Sequence, residues 1–191
     1  MEIHTDRSLV AAERPAVRYC TVTSTLEVVA RDVSVIIRDS LGAKTVCLND
    51  LPVEMDEDGM HVRLGDVPAG QGVSLVLATQ ISPKAKGAST SIVLRLADRE
   101  RVLYGSPTDV SWTAVDAAVD ASQPVNREVI VAAARLLAER ARGDARELTR
   151  VGALDRARQT LARAISRIRA VGDHLREVQA IANTLEDAAT S

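Results

Sequence analysis

Oxygen-bearing side chains at alternate positions are the first places to look for chemistry in this sequence. Asp109-Val110-Ser111-Trp112-Thr113 has the form D-x-S-x-T, and Asp32-Val33-Ser34 begins a similar pattern. Oxygen ligands spaced this way on a tight loop hold a hard divalent cation. In both places, however, the surrounding residues are β-formers. Strand alternation then sends Asp, Ser and Thr to one solvated face rather than around an ion. Glu54, Asp56, Glu57 and Asp58 form an acidic run, which reads as a solvated hairpin tip before it reads as a calcium site. His61 alternates with apolar neighbours and has no Ser, Cys or carboxylate partner at local spacing. A nucleophile and its base would have to converge from distant segments. Gly65–Gly72 lacks the Lys-Ser/Thr of a phosphate loop and runs into a strand, so no helix N-terminus is there to hold an anion. Cys20 and Cys47 sit in apolar runs and read as small core side chains. His4, His61 and His174 are dispersed, and no zinc-ligand spacing is formed. These residues assign no catalytic group, no cofactor and no metal ligand.

The other concentration of functional groups is basic. The chain carries 21 Arg and 3 Lys, and between Arg127 and Arg169 there are 11 Arg against 5 acidic residues. Arg156, Arg163 and Arg167 recur at helical spacing, opposite an apolar stripe, and mark a possible interaction surface. The plain alternative is a solvated face partly paired at i,i+4 with Glu and Asp. Phosphate contact with nucleic acid is a further reading, but no recognition-helix signature or aromatic interleaving accompanies the arginines.

Two kinds of element must position these groups. Up to residue 113 the chain reads as short strands: Arg18–Val22, Val33–Arg38, Lys44–Leu48, Met60–Leu64, Val73–Ile81, Ser91–Leu96 and Arg101–Tyr104. Met60, Val62 and Leu64 alternate with His61 and Arg63, and Asp58-Gly59 is a hairpin dipeptide with positive φ expected at both residues. Seven or eight strands about ten residues apart imply an antiparallel sandwich. After Trp112 the period becomes helical. Asp116–Gln123 reads as a connector. Ile130, Ala134, Leu137, Ala141, Ala145 and Leu148 make one stripe, Leu154 to Ile168 a second, and Leu175 to Leu185 a third. Gly152 and Gly172-Asp173 separate them, Gly172 by a left-handed φ and Asp173 as a cap. The expected fold is therefore α+β, an N-terminal antiparallel β-sandwich over 1–113 followed by a C-terminal three-helix bundle over 114–191.

Composition narrows the function classes. The chain has 191 residues, 46% hydrophobic and 26% charged, with a formal charge of −2, which fits a soluble globular protein and draws neither DNA nor membrane by charge alone. Aromatics are 2%: Trp112, Tyr19 and Tyr104. That argues against base-stacking platforms. Apolar runs are too short to cross a bilayer, and the start of the chain lacks a signal-peptide pattern, so a cytoplasmic location is expected.

Read in order, the segments resemble bacterial proteins that carry a von Willebrand factor type A domain inside a β-sandwich followed by helices. Asp6-Arg7-Ser8-Leu9-Val10 and Val17-Arg18-Tyr19 resemble the lead-in strands. Ala30-Arg31-Asp32-Val33-Ser34-Val35 and Leu48-Asn49-Asp50 resemble the segments on the C-terminal side of the type A domain, and Leu64–Gln71 resembles a recurring turn before a long strand. Val125-Asn126-Arg127 leads into the Ala-rich helices. The resemblance implies a type A insert with a D-x-S-x-S adhesion site near residues 21–30. Here only Thr21–Ala30 lies there, and Thr25–Ala30 reads as a remnant of that domain's last helix. The implied function is a non-enzymatic interaction or scaffold module whose partners are other proteins. The alternatives are a divalent-metal adhesion module, using Asp109, Ser111 and Thr113 or a type A domain in trans, and nucleic-acid binding through the Arg-rich helices.

Overall fold

In the computed structural model, which describes residues 1–100, 103 and 106–190, the strands are ten. They are β1 (Glu2–Thr5), β2 (Leu9–Ala11), β3 (Ala16–Thr25), β4 (Ala30–Asp39), β5 (Ala43–Cys47), β6 (Val53–Asp56), β7 (Gly59–Val67), β8 (Gly72–Ile81), β9 (Ser89–Ala97) and β10 (Thr108–Val115). Four form one sheet in the order β1-β3-β8-β5, and six form another in the order β2-β10-β9-β4-β7-β6. β1 and β6 have no expected counterpart; at four residues each they are too short for a period to register, and β2 corresponds only to the lead-in strand that the resemblance implies at Leu9-Val10. The expected strand Arg101–Tyr104 lies outside the described residues apart from Leu103, which is in a turn. The sheets are not wholly antiparallel: β2 pairs β10 in parallel, Leu9 beside Thr113 and Ala11 beside Val115.

Alternation explains the core. Val35 and Ile37 of β4, Met60 and Val62 of β7, Ile92 and Leu94 of β9 and Val110 and Trp112 of β10 are buried in one cluster with Cys20, Val22, Leu75 and Leu77 of the other sheet. Trp112 is fully enclosed, and its Nε1–H donates to Arg7 O at 3.0 Å. Thr25–Ala30 is not a helical remnant. It is the end of β3 and the crossover to β4 in the other sheet, held where Leu26 N–H donates to Gln71 O and Gly70 N–H to Leu26 O. Leu26 is buried with Ala30, Val33 and Val67 in a second small cluster, and that burial fixes the crossing point.

The β6–β7 hairpin closes through Glu57-Asp58, with Asp56 opposite Gly59. Only Gly59 of the Asp58-Gly59 pair takes positive φ, +125°, and a methyl there would stand 2.4 Å from Ile37 O. Close approach of β4, beyond the turn itself, excludes a side chain at that position. The segment read as a connector contains a helix, α1 (Ala117–Ser122).

By internal contacts the chain divides into Met1–Asn126 and Arg127–Ser191. β10 runs on to Val115 and α1 belongs with the first unit, whereas the change of period alone places the division at 113/114. The second unit holds α2 (Arg127–Arg150), α3 (Leu154–Gly172) and α4 (Arg176–Thr190), each packed on the other two. Ile130, Ala134, Leu137, Ala141 and Ala145 of α2, Leu161, Ile165 and Ile168 of α3, and Val178, Ala182 and Leu185 of α4 are buried. Gly172 does not end α3 by a left-handed turn. It is the last helical residue, and its missing side chain makes room for Ile130 Cγ2, which would lie 2.8 Å from a Cβ. Among the described residues no helix is long and apolar enough to cross a membrane.

Candidate functional site

Asp109, Ser111 and Thr113 lie along the outward side of β10, whose Val110, Trp112 and Ala114 face inward. Their Cα atoms are spaced about 7 and 14 Å from Asp109 at the rise of a strand, so the three oxygens do not converge on one point. Thr113 Oγ1 meets Ser89 Oγ at 3.4 Å across to β9. Asp32 takes φ +51° at an irregularity in the β4–β7 ladder. Its N–H donates to Asp66 Oδ1 at 2.9 Å, and its carboxylate accepts from Arg63 at 3.3 Å. Gly65 belongs to β7, which continues to Val67, so the turn inside Gly65–Gly72 is shorter than expected.

The acidic hairpin is more organised than its composition implies. Asp56 Oδ1 accepts Asp58 N–H at 2.7 Å, Gly59 N–H at 3.2 Å and the His61 ring at 3.0 Å. Desolvation raises the Asp56 pKa; the Asp58 N–H, the His61 ring and the Gly59 N–H outweigh it and hold the carboxyl below its ordinary value. His61 therefore has a carboxylate partner, contrary to the expectation from spacing, because the hairpin turns a separation of five residues into a cross-strand contact. Arg63 Nη2 donates to Glu54 at 2.6 Å, and this bond, with the Arg63 charge, keeps Glu54 low as well. These are solvent-facing ion pairs around a β-ribbon.

Cys20 and Cys47 are buried. Burial, and then the nearby Asp6, pushes the Cys20 thiol up to about 12, which leaves almost none of the nucleophilic thiolate at neutral pH. Buried Arg18 serves a join. Arg18 pairs with Asp120 of α1, and its Nε donates to Leu9 O at 2.9 Å. Gln123 Oε1 accepts Leu9 N–H at 2.9 Å. Together these cover the edge that β2 would otherwise expose.

On the second unit, Arg156, Arg163 and Arg167 are all exposed on one side of α3, away from buried Ala157, Leu161, Ile165 and Ile168. Among the described residues none of the three has an ion-pair partner, whereas Arg38, Arg63, Arg127, Arg150 and Arg169 each hold a carboxylate. Helical spacing puts the three on one face, but sequence neighbours do not settle which arginines are paired. Arg169 finds Glu186 across to α4 at 2.7 Å, and Arg127 finds Glu177.

No protein-family model matches the chain, and no curated protein is significantly similar to it. Among solved structures it is similar to a von Willebrand factor type A protein from Catenulispora acidiphila, with 14% identity, coverage of 76% of this chain and 37% of that one, and a TM-score of 0.46. Similarity also extends to the ArnB paralog VWA2 from Sulfolobus acidocaldarius, at 13% identity over 79% of this chain and 36% of that one, TM-score 0.44. A family 123 glycoside hydrolase from Clostridium perfringens matches at 11% identity over 56% of this chain and 22% of that one, TM-score 0.35. The chain thus spans well under half of these proteins. At such identities, with every TM-score below 0.5, the likeness ties it to none of their activities.

Proposed function

We infer that the chain is a non-enzymatic protein–protein interaction or scaffold module. Its sheets are read as a β-sandwich and its last three helices as a bundle. It is read as related to type A domain proteins but without their metal-dependent adhesion site. The observation that carries this reading is the stripe of Arg156, Arg163 and Arg167, exposed and without carboxylate partners among the described residues. Guanidinium groups presented this way offer planar, multidentate donors to acceptors on another surface. They also steer an oppositely charged partner toward the helix before contact.

The test is affinity capture with the full chain and with Arg156→Glu/Arg163→Glu/Arg167→Glu, before and after nuclease treatment. The reading expects proteins retained by the wild type, unaffected by nuclease and lost from the triple variant. Recovery that is equal for both chains overturns it. So does recovery that disappears with nuclease and falls steeply with salt, which is the behaviour of phosphate-backbone binding.

A further inference from the structure

A second surface on the same unit is shaped for a particular kind of partner. Three cavities of about 380, 200 and 630 Å³ follow one another along α2, the first two between α2 and α4 and the third where α3 also joins them. The first and second share Arg135, and the second and third share Arg142 and Thr184. Shared walls make them one trough. It runs from Arg127 to Thr149, about 33 Å at the rise of an α-helix, far longer than a small ligand needs. Its apolar lining is the half-buried Val131 and Ile181 along the middle and the exposed Leu154 and Ala188 at the wide end, above the core side chains Ala138, Ala145 and Leu161.

The polar groups are as informative as the floor. Thr149 and Thr184 hydroxyls donate to Ala145 O and Ala180 O of their own helices at 2.9 and 2.8 Å, so they are already engaged. What remains is charge, and it is graded along the trough. At the α2 N-terminal end Arg127 is paired with Glu177, and Glu128 and Arg135 balance each other. At the other end Arg142, Arg146 and Arg158 line the widest cavity with no acidic residue among its walls. Arg142 and Arg146 have no ion-pair partner among the described residues, and Arg158 meets Asp155 only at 3.9 Å in solvent.

We propose that this trough receives one amphipathic α-helix of a partner protein, its apolar stripe on the apolar lining and its Asp and Glu residues set against Arg142, Arg146 and Arg158. The added helix completes a four-helix arrangement. A second copy of this chain offering its α3 face is the wrong occupant, because Arg156, Arg163 and Arg167 would meet like charge. The proposal rests on the reading of the chain as an interaction module, but it uses a different surface from the α3 stripe.

The experiment titrates the full chain into three labelled synthetic helices of about 20 residues, a length that spans most of the trough. The helices share one apolar stripe, flanked by Glu, Gln or Lys, and binding is followed by fluorescence anisotropy. The Glu helix is expected to bind at least tenfold tighter than the Lys helix. Arg142→Glu/Arg146→Glu, at half-buried and exposed positions, is expected to weaken it at least tenfold. Thr184→Trp, which plugs the shared wall, is expected to do the same, with the 222 nm circular dichroism of both variants unchanged. Arg156→Glu/Arg163→Glu/Arg167→Glu is expected to leave peptide binding intact, so failure of the α3 reading and failure of the trough are separable. Absence of binding by all three helices, equal binding of the Glu and Lys helices, or binding of laurate in their place overturns the proposal. A loss of binding confined to the α3 variant also overturns it.

Discussion

At the residue scale, Asp6, which is 5% exposed, departs far from the acid–base behaviour of a free aspartate. Burial pushes its pKa up to about 6, against the lowering effects of the Tyr19 N–H bond, the Arg18 charge and the Arg7 N–H bond and charge. The folded chain thus holds this proton more tightly than the unfolded one, whose aspartate titrates near 3.8. Stability contributed by Asp6 is full below that value and is lost as pH rises through about 6, by about 3 kcal/mol for a two-unit difference. Asp56 and Glu54 are shifted the other way; their contribution is lost as pH falls, in a lower range. The urea midpoint of the wild type is therefore expected to decline between pH 5 and 7. Asp6→Asn, which keeps an oxygen for Tyr19 N–H, is expected to flatten that decline, and a wild-type midpoint that climbs instead refutes the assignment. Gly59 makes the second prediction. Its +125° φ and the 2.4 Å approach to Ile37 O mean that Gly59→Ala combines strain with a backbone clash, costing about 1–3 kcal/mol or more in urea unfolding. Neither Asp6 nor the close approach of Ile37 was legible in sequence, since both depend on a strand from elsewhere arriving beside the residue.

At the scale of elements, α1 shows how a short segment acquires a role. Six residues with none buried leave no apolar period, so Ala117–Ser122 was indistinguishable from a linker. Yet Asp120 meets Arg18, with 15% and 10% of their side chains exposed, and Gln123 caps the β2 edge. Asp120→Ala leaves Arg18 charged in an enclosed site; a loss of about 3 kcal/mol is expected in denaturant unfolding. A loss within about 0.5 kcal/mol would mean that the carbonyls of Leu9 and Val17, which accept from Arg18 Nε at 2.9 Å and Nη1 at 3.3 Å, suffice for Arg18. The long elements behaved differently. β3, β4, β7 and β8 each have nine or ten residues, and α2 to α4 have 15 or more. Such lengths repeat a pattern often enough to be read directly. Gly172 marks the boundary of that legibility: the helix end was found, but the reason for glycine there lies in Ile130, forty-two positions away.

At the scale of the whole chain, the two units carry separate reporters. Trp112, the single tryptophan, is enclosed in the first unit, whereas α2, α3 and α4 dominate the helical signal. Tryptophan fluorescence and 222 nm circular dichroism are expected to give urea transitions with different midpoints; coincident curves would show one cooperative unit instead. The sequence by itself determined the switch from strand to helix, the inward faces of the long elements and the Arg stripe of α3, because each is encoded in local periodicity. Tertiary structure alone decided the strand order, the parallel β2–β10 pair and the burial of Asp6. It also decided the partners of His61 and Arg127 and the trough along α2 and α4. Each of these depends on which distant surfaces meet, and a one-dimensional pattern of polarity specifies the face an element buries without specifying what lies against it.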